Sequence, residues 1–593
     1  MINIKEGKTF LEAYLKPASI LVIFGGAILA LQIQYGYFFV SALGLLGLLY
    51  SFKLEKERSI RLRKEKIREK WATDHKEKRD FTSIKKFYNF LKAKDYKSFS
   101  IDDMTWDDLN MDQVFKKLDH TESLPGMQYL YNLLRKPIFN RKLLEERSEK
   151  IDLFSKKRDL STEIQYYLSL LGKKEFKGLF TYFEDGLKVE TKFLILYKFF
   201  SIVPILGIVV LVFNRTYGLF LIILGVMVNG LIYQRHKDRV YSEIDVFKYI
   251  ASLIKAAINL TNLETEELDI NRKELREILD RTDKLYKNAS SLKSAASIGF
   301  KSELEMLIDY INLITLRETI IFYETISLIN KHRKDMLRIY EILGRVDAYI
   351  ALASYKDSLT YFTEPELVKE DRFVLETEDL YHPLLKKPVP YSFKLDNKGV
   401  LVTGSNASGK STYLRAIGIN SLFAQTFYTA LAKEYTSSYF KVMSSIGVTD
   451  NITDGDSYFM AESKSLKRII EVVGGETPVL CILDEIFRGT NTIERISAAT
   501  EVLNYMISRN TLVVAATHDI ELTTLVSGRF NNYHFKESIE ANDINFDYLL
   551  RSGPATTRNA IAILKYLGYP ETIYENASKM AKVYEEKNVL TVD

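Results

Sequence analysis

The chain has 593 residues, too many for one domain, since domains usually run to about 100–200 residues. With 47% hydrophobic and 27% charged residues, its composition excludes disordered, collagenous and low-complexity classes, and a formal net charge of +5 does not by itself announce a nucleic-acid partner. One cysteine, Cys481, excludes an internal disulfide framework, and seven histidines without paired spacing exclude the usual zinc sites.

Taken in chain order, the first element is apolar. Nothing charged stands between Lys16 and Lys53, a run of 36 residues. A membrane-spanning helix needs about 20, so the run predicts a tight hairpin of two short helices that turns near Gln32–Gly36; a hairpin buried in a protein core is the alternative. Gly25, Gly26, Gly44 and Gly47 would let such helices approach closely. Residues 53–79 then carry twelve Lys/Arg against six Asp/Glu. Their helical spacing reads as a solvated juxtamembrane helix, with anionic lipid or nucleic acid as other possible contacts. A second apolar block runs from Phe193 to Gln234, breaks at Asn214-Arg215-Thr216, and carries Lys198 near its start, where that side chain can snorkel to the interface. Four spans in two hairpins are therefore expected. The basic flanks place both termini and the middle region in the cytoplasm. Further on, Leu304, Leu307, Ile308, Ile311 and Ile314 form a stripe at helical spacing, which predicts an amphipathic helix packed on other helices.

The chemistry is concentrated after residue 398. A short β-rich run ending at Thr403 leads into Gly404, Ser405, Asn406, Ala407, Ser408, Gly409, Lys410, Ser411 and Thr412, followed by a helical pattern. Strand, glycine loop and helix with this spacing make a phosphate cradle of backbone N–H groups at a helix N-terminus. Lys410 is expected on the β- and γ-phosphates of ATP and Ser411 on Mg²⁺. The apolar strand Pro478–Leu483 ends in Asp484, expected as the second Mg²⁺ ligand, and Glu485, expected as general base. A third apolar strand from Thr511 to Thr517 delivers His518 to the end of the sheet where ligands bind, as a γ-phosphate sensor; a lone histidine there would more often cap or pack. Tyr391, ahead of the glycine loop, is the candidate to stack on adenine.

These residues resemble the MutS family of ATPases, within the wider ABC-type group. The loop Thr403–Thr412 is similar to the family's phosphate loop, although family members more often have Pro at Ser405 and Met-Gly at Ala407-Ser408. The segment Ser445–Glu462 resembles the composite-site segment, which implies that Ser457 faces the nucleotide of the opposite subunit. Leu483–Thr492 resembles the Walker B strand and dimer loop, and Ala516–Asp519 the histidine switch. Upstream, Leu118-Asp-His-Thr121 with Gly126 looks like the start of the family's helical core, and Ile342–Asp347 like its last lever helix. The resemblance implies an α/β P-loop ATPase domain C-terminal to an all-α core and lever domain, here with two transmembrane hairpins. The expected order is a transmembrane hairpin (1–52), a basic helical segment (53–115), the first part of the core (116–192), a second hairpin (193–234), the rest of the core and lever (235–362), and the ATPase domain with closing helices (363–593).

The departures set the function expected. The residues before the core hold a hairpin and a basic helix where mismatch-repair members carry mismatch-reading and connector domains, and the triplet Phe322-Tyr-Glu324 sits inside core helices rather than on a mismatch wedge. The resemblance thus implies the engine and not the sensor: a membrane-anchored ATPase, multi-pass in the cytoplasmic membrane with its ATPase domain in the cytoplasm. It would bind ATP and Mg²⁺, form a homodimer through the ATPase domain and clamp DNA without reading bases. The alternative is an ATP-driven membrane machine or ABC-like transporter that binds no DNA.

Overall fold

The computed structural model describes the chain apart from residues 1–3, 75–77, 96, 176–177, 188–192, 264–271, 296–309, 370–372, 406–407, 448–457, 541–542, 556–559 and 587–593. It divides into two compact units, one of residues 1–74, 157–176 and 187–339, the other of 75–156, 177–186 and 340–593.

The first unit is helical. Its two hairpins pair Ile4–Gln32 with Phe38–Lys70, and Leu194–Phe213 with Arg215–Thr261. Among the described residues, four stretches are long and apolar enough to cross a membrane: Tyr14–Gln32, Tyr35–Lys70, Leu194–Phe213 and Arg215–His236. Small residues let the partners touch backbone to backbone. A Cβ on Gly26 would stand 2.5 Å from the Ser41 nitrogen, and one on Gly207 2.8 Å from the Ile222 nitrogen. Asn214 turns the second hairpin by accepting N–H bonds from Thr216 and Tyr217 at 3.1 and 3.2 Å, which satisfies amides that a helix start leaves without partners.

The helices do not stop where the apolar residues stop, and in this they differ from the short helices expected. Phe38–Lys70 runs for 33 residues and Arg215–Thr261 for 47, because Lys, Arg and Glu are good helix formers and no Gly or Pro intervenes at the apolar boundary. The basic end of Phe38–Lys70 lies along the helix Arg158–Ser169, where Arg63 donates to the Ser169 carbonyl at 2.5 Å and Arg68 to Asp159 at 2.7 Å. Lys198 pairs with Glu324 at 2.5 Å. Phe322 and Tyr323 are buried in the helix Arg317–Asp357, Phe322 edge-on to Phe247. The stripe from Leu304 to Ile314 departs from expectation: its first three residues lie outside the described residues, while Ile311 and Ile314 are exposed.

In the second unit, Leu124–Arg135 and Arg141–Lys156 precede the α/β part. Asp347 accepts from the Ser123 hydroxyl at 2.5 Å and the Ser123 amide at 2.8 Å, while a Cβ on Gly126 would collide with its carboxylate. Arg135 is buried with its guanidinium 4.3 Å from the Trp106 ring, bonded to the Ile101 carbonyl at 2.9 Å and Asp103 at 2.7 Å. A buried charge needs this degree of partnering.

Two sheets follow. The smaller is ordered β1-β5-β2-β3, from Glu366–Val368 (β1), Val374–Leu380 (β2), Tyr391–Asp396 (β3) and Glu434–Ser438 (β5). The larger is ordered β10-β9-β4-β8-β7-β6, from Gly399–Thr403 (β4), Lys441–Ser445 (β6), Val479–Asp484 (β7), Thr511–Thr517 (β8), Phe530–Glu540 (β9) and Asp543–Ser552 (β10). Strands β9, β4, β8, β7 and β6 run parallel, and β10 returns antiparallel. Every residue of β4 and β8 is buried, as covering of both faces of a parallel sheet requires.

Candidate nucleotide site

The register of the large sheet brings the site together. Thr403 stands opposite Thr517 and Asp484 opposite Ala516, so β4, β8 and β7 end level at their carboxyl ends. Whatever follows each strand must meet there.

After β4 the chain turns at Gly404, with φ +140°, and passes through Gly409, with φ +104°, into the helix Lys410–Thr426. L side chains rarely adopt such angles, and a Cβ on Gly404 would stand 2.9 Å from Ser408 Oγ. Ser408 closes the loop by donating to the Ser405 carbonyl at 2.6 Å. Lys410 is buried, donates to the Gly404 carbonyl at 2.5 Å and lies 3.3 Å from His518 Nε2. Thr412 follows in the first helical turn. Asn406, Ala407 and Ser457 lie outside the described residues, and most of the Ser445–Glu462 segment does too.

Ser411 Oγ donates to Asp484 Oδ2 at 2.5 Å. Asp484 Oδ1 is buried with no hydrogen-bond partner among the described residues. Burial pushes the Asp484 carboxyl above its ordinary range, with the Ser411 hydroxyl acting against that shift. A hydroxyl beside an unsatisfied carboxylate oxygen is a donor set for a hard divalent cation completed by phosphate oxygens. Among the described residues no group of three His, Cys, Asp or Glu forms a separate metal cluster.

Glu485 and Phe487 both have left-handed backbones, φ +54° and +61°. Such angles are costly outside glycine, and the turn is pinned by the Glu485 amide donating to the Ala516 carbonyl at 2.9 Å. One Glu485 oxygen is 2.9 Å from His518 Nε2 and the other meets Arg488. Burial opposes ionisation of Glu485, but the hydrogen bonds from His518 and Arg488 outweigh it and hold the carboxyl below its usual range. Arg495 grips Asp519, next to His518, through bonds of 2.6 and 2.9 Å.

Tyr391 is not available to stack on a base. Its ring is buried edge-on against Tyr413 and Phe535, at 5.1 and 6.1 Å. The exposed ring at the glycine loop is Tyr548, whose edge comes within 3.2 Å of a Cβ built on Gly409. Tyr548 has φ +56° and sits where the β9–β10 pairing slips between Phe546 and Leu550. Sequence reasoning passed over it because an irregularity in a hairpin far along the chain puts it there. Arg488, three residues beyond Glu485, was legible as a cation near an acid but was not singled out.

Comparison with known proteins places this region within a known family model. Residues 400–585 match the family described as MutS domain V, a range that starts in β4 and contains the glycine loop, Asp484, Glu485, His518 and Tyr548. The DNA mismatch repair protein MutS of Thermus aquaticus is 26% identical over 502 residues, 79% of this chain and 60% of that protein. The MutS protein of Methanosarcina barkeri is 29% identical over 284 residues, 46% of this chain and 31% of its own length. That of Desulforapulum autotrophicum is 30% identical over 275 residues. These matches support the MutS family. The chain spans between about a third and 60% of the MutS proteins it matches. The described architecture, helical in its N-terminal region and mixed α/β in its C-terminal region, is consistent with MutS domain V.

Proposed function

We propose that the chain is a membrane-anchored MutS-like ATPase with a P-loop, ABC-type ATPase domain, which hydrolyses ATP at composite dimer sites and holds DNA as a nucleotide-controlled clamp. The observation that carries this reading is the convergence of Lys410, Ser411, Asp484, Glu485 and His518 at the level ends of three parallel strands.

Each side chain has a task that its surroundings fit. The Gly404–Gly409 loop and the first turn of Lys410–Thr426 present N–H groups to the phosphates. Lys410 exchanges the Gly404 carbonyl for phosphate oxygens. Ser411 and Asp484 would hold Mg²⁺, which when bound supplies neutralisation of phosphate charge. Glu485 is ionised near neutral pH and accepts a proton from the attacking water. His518, within 3.3 Å of Lys410 and 2.9 Å of Glu485, links the phosphate side of the site to the base. Tyr548 offers a face to adenine. Ser457 of a second copy completes the site, so ATP drives dimerisation. DNA would be held through its phosphates, with the steep salt dependence that such contacts bring. The four apolar helices anchor the chain in the cytoplasmic membrane, with the ATPase domain and both termini on the cytoplasmic side.

The test is DNA binding by detergent-solubilised Glu485→Gln protein, with and without ATP, on plain, mismatched and branched duplexes across a salt series. ATP-dependent binding with a steep salt slope supports the clamp. A protein that closes on ATP yet binds no DNA at low salt would replace it with the second reading, which the four apolar helices favour: an ATP-driven machine that moves lipid-facing helices. Lys410→Ala should abolish turnover, and unchanged activity would overturn the site itself.

A further inference from the structure

The described helical stretch of residues 310–315 belongs to the first unit and ends at Leu316, whose backbone is left-handed at φ +51°. It does not pack as an amphipathic helix in a core should. Asn312 is turned inward, donating to Glu318 at 3.2 Å, while Tyr310 is 61%, Ile311 46% and Ile314 37% exposed.

What it does touch is the second hairpin. Asn229, fully buried on Arg215–Thr261, donates through Nδ2 to the Ile314 carbonyl at 2.6 Å and to the Phe200 carbonyl on Leu194–Phe213 at 3.2 Å. A Cβ on neighbouring Gly230 would lie 4.0 Å from the Leu313 side chain. Carbonyls in the last turn of a helix lack intrahelical donors, and an amide inside an apolar span is costly unless bonded. The Asn229 Nδ2 group meets the first need and shares its protons between two helices, while its Oδ1 is buried without a partner among the described residues.

The depth of that contact follows from helix geometry. Asn229 lies five residues before Gln234, the last residue of the apolar block ahead of Arg235, and at 1.5 Å per residue that is about 7.5 Å inside the apolar layer. Amphipathic helices that lie on membranes bury their apolar faces by about 5–10 Å into the headgroup and acyl boundary. A segment bonded at this depth, with its apolar side chains facing away from the protein, meets lipid.

We propose that residues 310–316 lie in the cytoplasmic-side interface of the bilayer, with Tyr310, Ile311 and Ile314 against lipid acyl chains, held there by Asn229. This rests on the membrane reading of the hairpins, and the exposed apolar side chains continue the surface of the spans.

The experiment uses the full chain in a Cys481→Ala background, reconstituted into phosphatidylcholine–phosphatidylglycerol vesicles brominated on the upper acyl carbons. A fluorescent thiol label is placed in turn at Ile311→Cys, at Ile223→Cys within the second hairpin, and at Asp283→Cys on the exposed face of Arg272–Ala295. Quenching at 311 should approach that at 223 and exceed that at 283 several-fold. Quenching at 223 with none at 311 would overturn this proposal alone; no quenching at either would overturn the membrane reading. In Asn229→Leu the label at 311 should lose its quenching several-fold while 223 keeps it, and unchanged quenching at 311 would overturn the role given to Asn229.

Discussion

The two oxygens of Asp484 are in different circumstances, one bonded to Ser411 and the other buried without a partner among the described residues. That difference predicts a proton movement. Burial raises the carboxyl above its ordinary range, whereas a bound divalent cation favours the ionised form. Loading Mg²⁺ and ATP should therefore release protons, increasingly so as the pH falls from neutral toward the raised carboxyl range. Calorimetry in two buffers of different ionisation enthalpy would measure the release, and Asp484→Asn should abolish its pH dependence. Glu485 has the opposite sign: its carboxyl is held down, so the base stays ionised and its contribution fades only as the pH drops below the ordinary carboxylate range. Glu485→Gln should slow hydrolysis by about 10²–10⁴-fold while ATP still binds, and should accumulate ATP-closed dimers in light scattering. A variant that stays monomeric with ATP would remove the composite site from the proposal.

Among the elements, Leu124–Arg135 shows how a packing motif is read from sequence and explained by structure. Gly126 is required because Asp347 occupies the space a Cβ would take, and the same carboxylate gathers the Ser123 hydroxyl and amide. Gly126→Ala should cost about 1–3 kcal/mol by overpacking, visible as a lower urea midpoint, and Asp347→Ala should cost a similar amount by stranding buried donors. The strands of the large sheet were legible for a comparable reason: Val479–Leu483 and Thr511–Thr517 are unbroken apolar runs, and burial on both faces leaves little other use for them. Lys410, Ser411, Asp484, Glu485 and His518 were legible because each follows directly on such a strand or on the glycine loop. Tyr391 misled because nearness in sequence to the loop says nothing about where a ring points, and here it points into the core. Helix ends were not legible, since charged residues continue Phe38–Lys70 without a break. The stripe ending at Ile314 was ambiguous in a deeper way. Helical periodicity marks an apolar face but does not say whether protein or lipid covers it.

For the whole molecule, the hairpins and their basic flanks make a prediction about sidedness. In sealed vesicles, protease added from one side should reach both residues 53–190 and residues 363–593. Finding them on opposite sides would reject a topology of two hairpins. A last consequence belongs to the sheet as a body. Cys481 is the one thiol in the chain, fully buried at the middle of β7, between β6 and β8. No reagent reaches it while those strands stay paired, so its slow modification is a clock for their separation. Nucleotide that tightens the ends of β4, β7 and β8 should slow that clock, and the ratio of the two rates would give the free energy with which ATP holds the central strands shut.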